Sequence, residues 1–144
     1  MPTLYTTLEI QAPQRQVWRV LYHKERWMYW NTFLYDSDPR HSFVEGQDVL
    51  LALRRVPGEA VTEFQPRVTV VQPYGCLQWV SKIPGFISRH TFELQEMGRD
   101  RTQYTHAEHF SGKLTRFFLP FIRHDEYQGI CRMARELKQY VEQR

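Results

Sequence analysis

Two stretches of alternating side chains, 86–97 and 101–112, lie on either side of a turn, and the stretch after them changes period. His90, Phe92 and Leu94 alternate with Arg89, Thr91, Glu93 and Gln95, while Tyr104, His106, Glu108 and Phe110 alternate with Gln103, Thr105, Ala107, His109 and Ser111. Strand side chains point to opposite faces with a period of two, so this spacing predicts an antiparallel hairpin with one apolar-leaning face and one wet face. From Lys113 onward the period becomes about 3.6. Leu114, Phe117, Phe118, Phe121 and Ile122 form one apolar stripe, and Ile130, Met133, Ala134, Leu137 and Val141 form a second. A long hairpin followed by a long amphipathic helix points to an α+β fold in which a sheet packs on that helix. Pro120 and the polar stretch His124–Gln128 predict a kink or a break between the two stripes.

The rest of the chain supplies more strands. Leu4, Thr6, Leu8 and Ile10 alternate with Tyr5, Thr7, Glu9 and Gln11, which predicts a first strand. Pro13 suits the first turn of a helix whose buried side is Val17, Trp18, Val20 and Leu21. A short second helix is expected over 25–30, followed by a short strand over 32–36. Val49, Leu51 and Leu53 alternate in the next strand, and a long one over 59–72 must be interrupted at Pro66, which cannot donate to a ladder. If Pro84-Gly85 is a two-residue turn, Trp79 faces His90 and Leu77 faces Phe92. If the later turn centres on Arg99, His90 faces Glu108, Phe92 faces His106 and Leu94 faces Tyr104. Both registers put apolar partners on one inner face, whereas a slip of one residue would turn Arg89 inward.

That inner face also carries His90, Tyr104, His106 and Glu108. Ionisable groups turned inward must be hydrogen-bonded, paired or wetted, so the pattern predicts a hollow interior with polar handles. His90 and Glu108 read either as a general acid–base pair or as a cross-strand pair that satisfies two polar groups. Tyr104 and His106 read either as ligand contacts or as groups reaching water at the open end of the sheet. A metal site built from His90, His106, Glu108 and His109 is not expected, because His109 has the opposite parity. No cofactor is expected, and no nucleophile motif or glycine-rich phosphate loop is present.

The chain has 144 residues, 42% of them apolar and 15% aromatic, enough for a single domain over 1–144. A net charge of +3 with scattered Lys and Arg argues against nucleic acid as a partner. The two cysteines, Cys76 and Cys131, form no CxxC and predict reduced thiols in the cytoplasm. The N-terminus lacks the pattern of a signal peptide. The longest apolar run, Phe117–Ile122, is far short of the ~20 residues of a membrane span. With Lys113, Arg116 and Arg123 beside it, that run is expected either to gate a cavity, to touch a membrane surface peripherally, or simply to pack on the sheet.

In order and spacing, several pieces resemble the START-like or SRPBCC superfamily, most of all its polyketide cyclase/dehydrase group. They are Ala12-Pro13 with Val17-Trp18 and Leu21, Trp30-Asn31, Gly46-Gln47-Asp48-Val49, Phe64-x-Pro66-Arg67-Val68, Pro73 with Leu77-x-Trp79, His90-x-Phe92-x-Leu94, Glu108-x-Phe110-x-Gly112, and Gly129 with Met133 and Leu137-Lys138. Thr32 departs from the pattern, which usually has proline after Trp-Asn, so the second strand is expected to start differently. The resemblance implies a helix-grip fold: a curved antiparallel sheet around a long C-terminal helix, two short helices after the first strand, and a deep cavity. Function is left between three readings. The first is a binder of a small apolar or aromatic molecule, lipid or polyketide-like, held by Trp79, His90, Phe92, Tyr104, His106, Glu108, Phe110, Phe117 and Phe121. The second is a cyclase or dehydratase in which His90 or His106 moves a proton, with Glu108 beside them and Tyr104 polarising a carbonyl. The third is a protein-interaction module with a vestigial cavity.

Overall fold

The computed structural model describes residues 2–143. Strand β1 (Thr3–Ile10) is followed by helix α1 (Gln14–Tyr22) and a 3-10 helix (Lys24–Tyr29). Then come β2 (Leu34–Asp36), β3 (Leu51–Leu53), β4 (Thr62–Phe64), β5 (Arg67–Gln72), β6 (Cys76–Ile83), β7 (Phe86–Gly98), β8 (Arg101–Ser111) and helix α2 (Thr115–Glu142). The five-stranded sheet runs β1-β8-β7-β6-β5 and a smaller one runs β2-β3-β4, all antiparallel. Both hairpin registers are as the alternation requires: Trp79 faces His90, His90 faces Glu108, and Leu94 faces Tyr104.

Pro66 divides the long strand into β4 and β5 without losing its register. Asp48 faces Arg67, the Val49 N–H donates to the Pro66 carbonyl at 3.0 Å, and Leu51 faces Phe64. The small sheet is thus tied to the edge of the large one through the segment before β3. β2 begins two residues after the expected start because the Asn31 side chain accepts from the Phe33 and Leu34 N–H groups, each at 2.9 Å, and turns the chain there. Thr32, where a proline is usual, gives its own N–H to Glu136 of α2 at 2.9 Å, a bond that proline cannot make.

Helix α2 corrects two expectations. It is one continuous element through Pro120 and through 124–128. Proline so near the N-terminus removes only one interior hydrogen bond, and the buried face of Leu119, Glu126, Gly129, Ile130, Met133, Ala134, Leu137 and Val141 carries the helix on. The first apolar stripe packs on the sheet only in part: Phe121 is 85% exposed and Phe117 54%, while Leu114 and the half-covered Phe118 reach Gly85 and Phe86 and Ile122 packs against the core. Thr115 and Leu119, on the adjoining side of the helix, are the buried residues of this first stretch.

The middle of the molecule is filled rather than hollow. Trp79 stacks on Phe43 at 5.5 Å between ring centroids, and Phe92 and Trp27 lie at 4.9 and 6.3 Å from it. Trp79, Phe92, Tyr104 and His106 are fully enclosed there.

Candidate functional site

The polar inner face converges at one end of the sheet, where α2 crosses it. β7 supplies Ser88 and His90, β8 supplies Glu108 opposite His90, and the chain just after β3 supplies Arg55. Helix α2 contributes Glu126, a residue on its buried face that the hairpin alternation does not reveal. His90 Nε2 lies 3.1 Å from Glu108 Oε2 and 3.8 Å from Glu126 Oε2. Arg55 Nε donates to Glu126 Oε1 at 2.6 Å, and the Ser88 hydroxyl donates to Glu108 Oε2. Behind His90, its Nδ1 is 2.9 Å from His106 Nε2. His90, Glu108 and Glu126 are all buried.

Burial decides the protonation here. It pulls the His90 pKa down to about 4, with Glu126 opposing and Arg55 reinforcing that shift. Burial lowers His106 as well, with the neighbouring His90 adding to it. Both rings are therefore neutral near pH 7, so the 3.1 Å approach of His90 Nε2 to Glu108 is not an ion pair. His90 Nδ1 and His106 Nε2 share a single proton, and the tautomers of the two rings decide which of them donates. Burial pushes Glu108 up against the hydrogen bonds from Glu126 and Ser88 and the charge of Arg55. Glu126 is raised by burial and by Glu108, with His90 and Arg55 opposing. The contact between the two carboxyls is a hydrogen bond only when one of them holds a proton. Glu108 Oε1 finds no N–H donor among the described residues. Tyr104, also buried, has its phenol pKa raised by burial and its hydroxyl unpartnered among the described residues.

A cavity of about 470 Å³ opens beside this cluster. Leu53, Phe64, Phe86, Phe110 and Ile122 form its apolar wall, and Arg55, Ser88, His90, Glu108 and Glu126 its polar end. Of the residues expected to bind a ligand, His90, Glu108 and Phe110 line it. Trp79, Phe92, Tyr104 and His106 lie in the packed interior instead, with His106 reaching the site only through His90. Phe117 and Phe121 are on the outer surface of α2 and do not line the cavity, although Ile122 of the same run does. His109 is on the far face, as its parity requires, 3.0 Å from the Thr3 hydroxyl.

This arrangement, a β1-β8-β7-β6-β5 sheet gripping one long C-terminal helix with two short helices after β1, has counterparts among solved structures. A START superfamily protein from Mycobacterium smegmatis superimposes with a TM-score of 0.71 at 16% identity, over 98% of this chain and 97% of that one. The fold is START-like. A Chromobacterium violaceum protein gives a TM-score of 0.76 at 14% identity over 99% of both chains. Norcoclaurine synthase from Thalictrum flavum, solved in complex with dopamine and hydroxybenzaldehyde, gives 0.70 at 16% identity over 99% of this chain and 87% of that one. No family model matches the chain, and no curated protein sequence does. The START-like frame explains why the site forms where it does. The helix gripped by the sheet brings Glu126, a carboxylate from outside the hairpin, against His90 and Glu108.

Proposed function

We propose that this protein takes a small, largely apolar or aromatic molecule into the end cavity, with a polar group of that molecule set against Glu126, Glu108 and His90. One observation carries the reading: a cavity of about 470 Å³ with aromatic and aliphatic walls has three buried ionisable groups, His90, Glu108 and Glu126, side by side in its lining, while its other acid and lysine, Glu63 and Lys82, are exposed. Small-molecule sites commonly combine a volume of ~300–1,000 Å³ with a few convergent polar groups in this way. Norcoclaurine synthase, of the same fold, is seen with two aromatic ligands, which supports an aromatic guest. The outward stripe of Phe117 and Phe121, with Lys113, Arg116 and Arg123 around it, suits brief contact with an anionic membrane surface from which an apolar guest is collected. Cys76 and Cys131 are both free thiols, which fits a reducing, cytoplasmic setting. No described helix is long and apolar enough to cross a membrane.

The test uses the apolar dye 1-anilinonaphthalene-8-sulfonate as probe. The folded protein should bind it with saturable fluorescence. Ile122→Trp, which fills the cavity from its half-buried wall, should weaken binding at least tenfold, while Phe121→Asp on the outer surface should leave it unchanged. Equal dye binding by the wild type and Ile122→Trp, with both folded by thermal melt, would overturn the proposal.

A further inference from the structure

We propose that His90, Glu108 and Glu126 together bind a divalent transition-metal ion at the polar end of the cavity. One ligand atom from each of the three lies within 4.8 Å of the others, and all three side chains are buried. Two ligands held ~2.1 Å from one ion stand roughly 3.0–3.5 Å apart at octahedral or tetrahedral angles. The separation of His90 Nε2 from Glu108 Oε2, 3.1 Å, falls in that range, and its 3.8 Å from Glu126 Oε2 lies just above it.

The surroundings prepare each group for the task. Arg55 holds Glu126 by Oε1 and so leaves Oε2 toward His90. Ser88 holds Glu108 by Oε2, and Oε1 of that buried carboxylate has no donor among the described residues. His106 Nε2 backs His90 Nδ1, the outer contact that fixes the ring of a metal-bound histidine. Two carboxylates, one guanidinium and a divalent ion leave a net charge of +1. A site of two neutral histidines, one carboxylate and zinc carries the same charge. The imidazole ligand favours a first-row transition ion over calcium or magnesium. Three protein ligands leave coordination open toward the cavity.

Binding fixes the tautomer of His90. Nε2 can meet the ion only without a proton, so the neutral ring bound to metal carries its proton on Nδ1, the atom that faces His106 Nε2.

Zinc is the probe, applied to the full chain without a histidine tag after EDTA stripping and dialysis. Native mass spectrometry should show one ion per chain. Competition with a chromophoric chelator should show at least a ~10-fold loss of affinity in His90→Ala and in Glu126→Gln, since even outer partners of a metal site contribute 10–100-fold. His124→Ala, an exposed histidine on the same helix, should bind as the wild type does. In nitrogen-15 spectra, zinc-bound His90 should be the Nδ1–H tautomer, with Nε2 unprotonated and shifted by the metal. Glu126→Gln keeps the size of the side chain and carries the test if His90→Ala does not fold. Zinc binding that is absent, equal in wild type and Glu126→Gln, or lost in His124→Ala would overturn the inference. Dye binding by the stripped protein probes the cavity separately, so either proposal can fail while the other stands.

Discussion

Lys24 shows how one residue can hold a fold that its own segment would not predict. It sits in a 3-10 helix with its side chain 1% exposed, and its ammonium donates to Asp36 Oδ1 at 2.6 Å and to the Asp38 carbonyl at 2.9 Å. Removing one partner of a buried pair leaves the other charge stranded, so Lys24→Ala should lower the unfolding free energy by about 3–5 kcal/mol in urea melts. Lys24→Met with Asp36→Leu should recover much of that loss, because no charge remains buried. Among the site residues, His90 and Glu108 were legible as opposite partners from strand parity and turn position alone. Glu126 was not, because the rotational phase of a helix against a sheet is set by packing and cannot be read from the hairpin. Its neighbours, from His124 to Gln128, are so polar that the sequence suggested a helix break just where the site gains a ligand. Arg55 escaped for a similar reason, since it follows a strand of only three residues and its side chain direction depends on the loop beyond.

At the scale of elements, α2 is positioned by a close approach and by a tie at its end. A Cβ built on Gly129 would stand 2.3 Å from Phe33 Cδ1, so the helix meets the segment before β2 with no room for a methyl group. Gly129→Ala should therefore destabilise the protein by about 1–3 kcal/mol by overpacking, although alanine is the better helix former by ~1 kcal/mol. Calorimetry of the two proteins would decide which effect wins. At the other end, Glu142 Oε2 accepts from the Gln11 N–H at 2.7 Å and from Lys138 at 2.6 Å. Partial burial raises its pKa, but the bonds from Gln11 and Lys138 outweigh that and hold it below the ordinary 4.5. A carboxyl lowered by folding stabilises the native state above its unfolded pKa and ceases to do so as pH falls through the folded one. Glu142→Gln should accordingly cost stability at pH 7 and cost little at pH 3, in melts at both pH values.

For the whole molecule, the strand pattern and the gripping helix could be read from alternation and from the change of period, whereas the place of the cavity could not. Phe43 and Trp27 fill the space beneath Trp79; Phe43 comes from the loop between β2 and β3 and Trp27 from a 3-10 helix of six residues, both too irregular or short for periodicity to give a direction. The hollow is displaced to the end of the sheet, beside the outward apolar stripe of α2. If that stripe meets membranes, the protein should pellet with vesicles of phosphatidylcholine and phosphatidylserine and not with phosphatidylcholine alone. Phe117→Asp combined with Phe121→Asp should abolish pelleting while leaving the thermal midpoint almost unchanged, because both side chains are exposed. Pelleting by the double variant equal to that of the wild type would remove the stripe from any role at a lipid surface.

The pairing of β1 with β8 also sets an order of events during synthesis. β5, β6, β7 and β8 join neighbours in sequence and can zip as they emerge from the ribosome, but Ile10 must wait for Thr102 and Thr3 for His109. At a translation rate of ~5–20 residues per second, β1 spends roughly 5–20 s without its partner strand. During that interval Leu4, Leu8 and Ile10 have no sheet to cover them, and the unpaired first strand is open to joining another molecule.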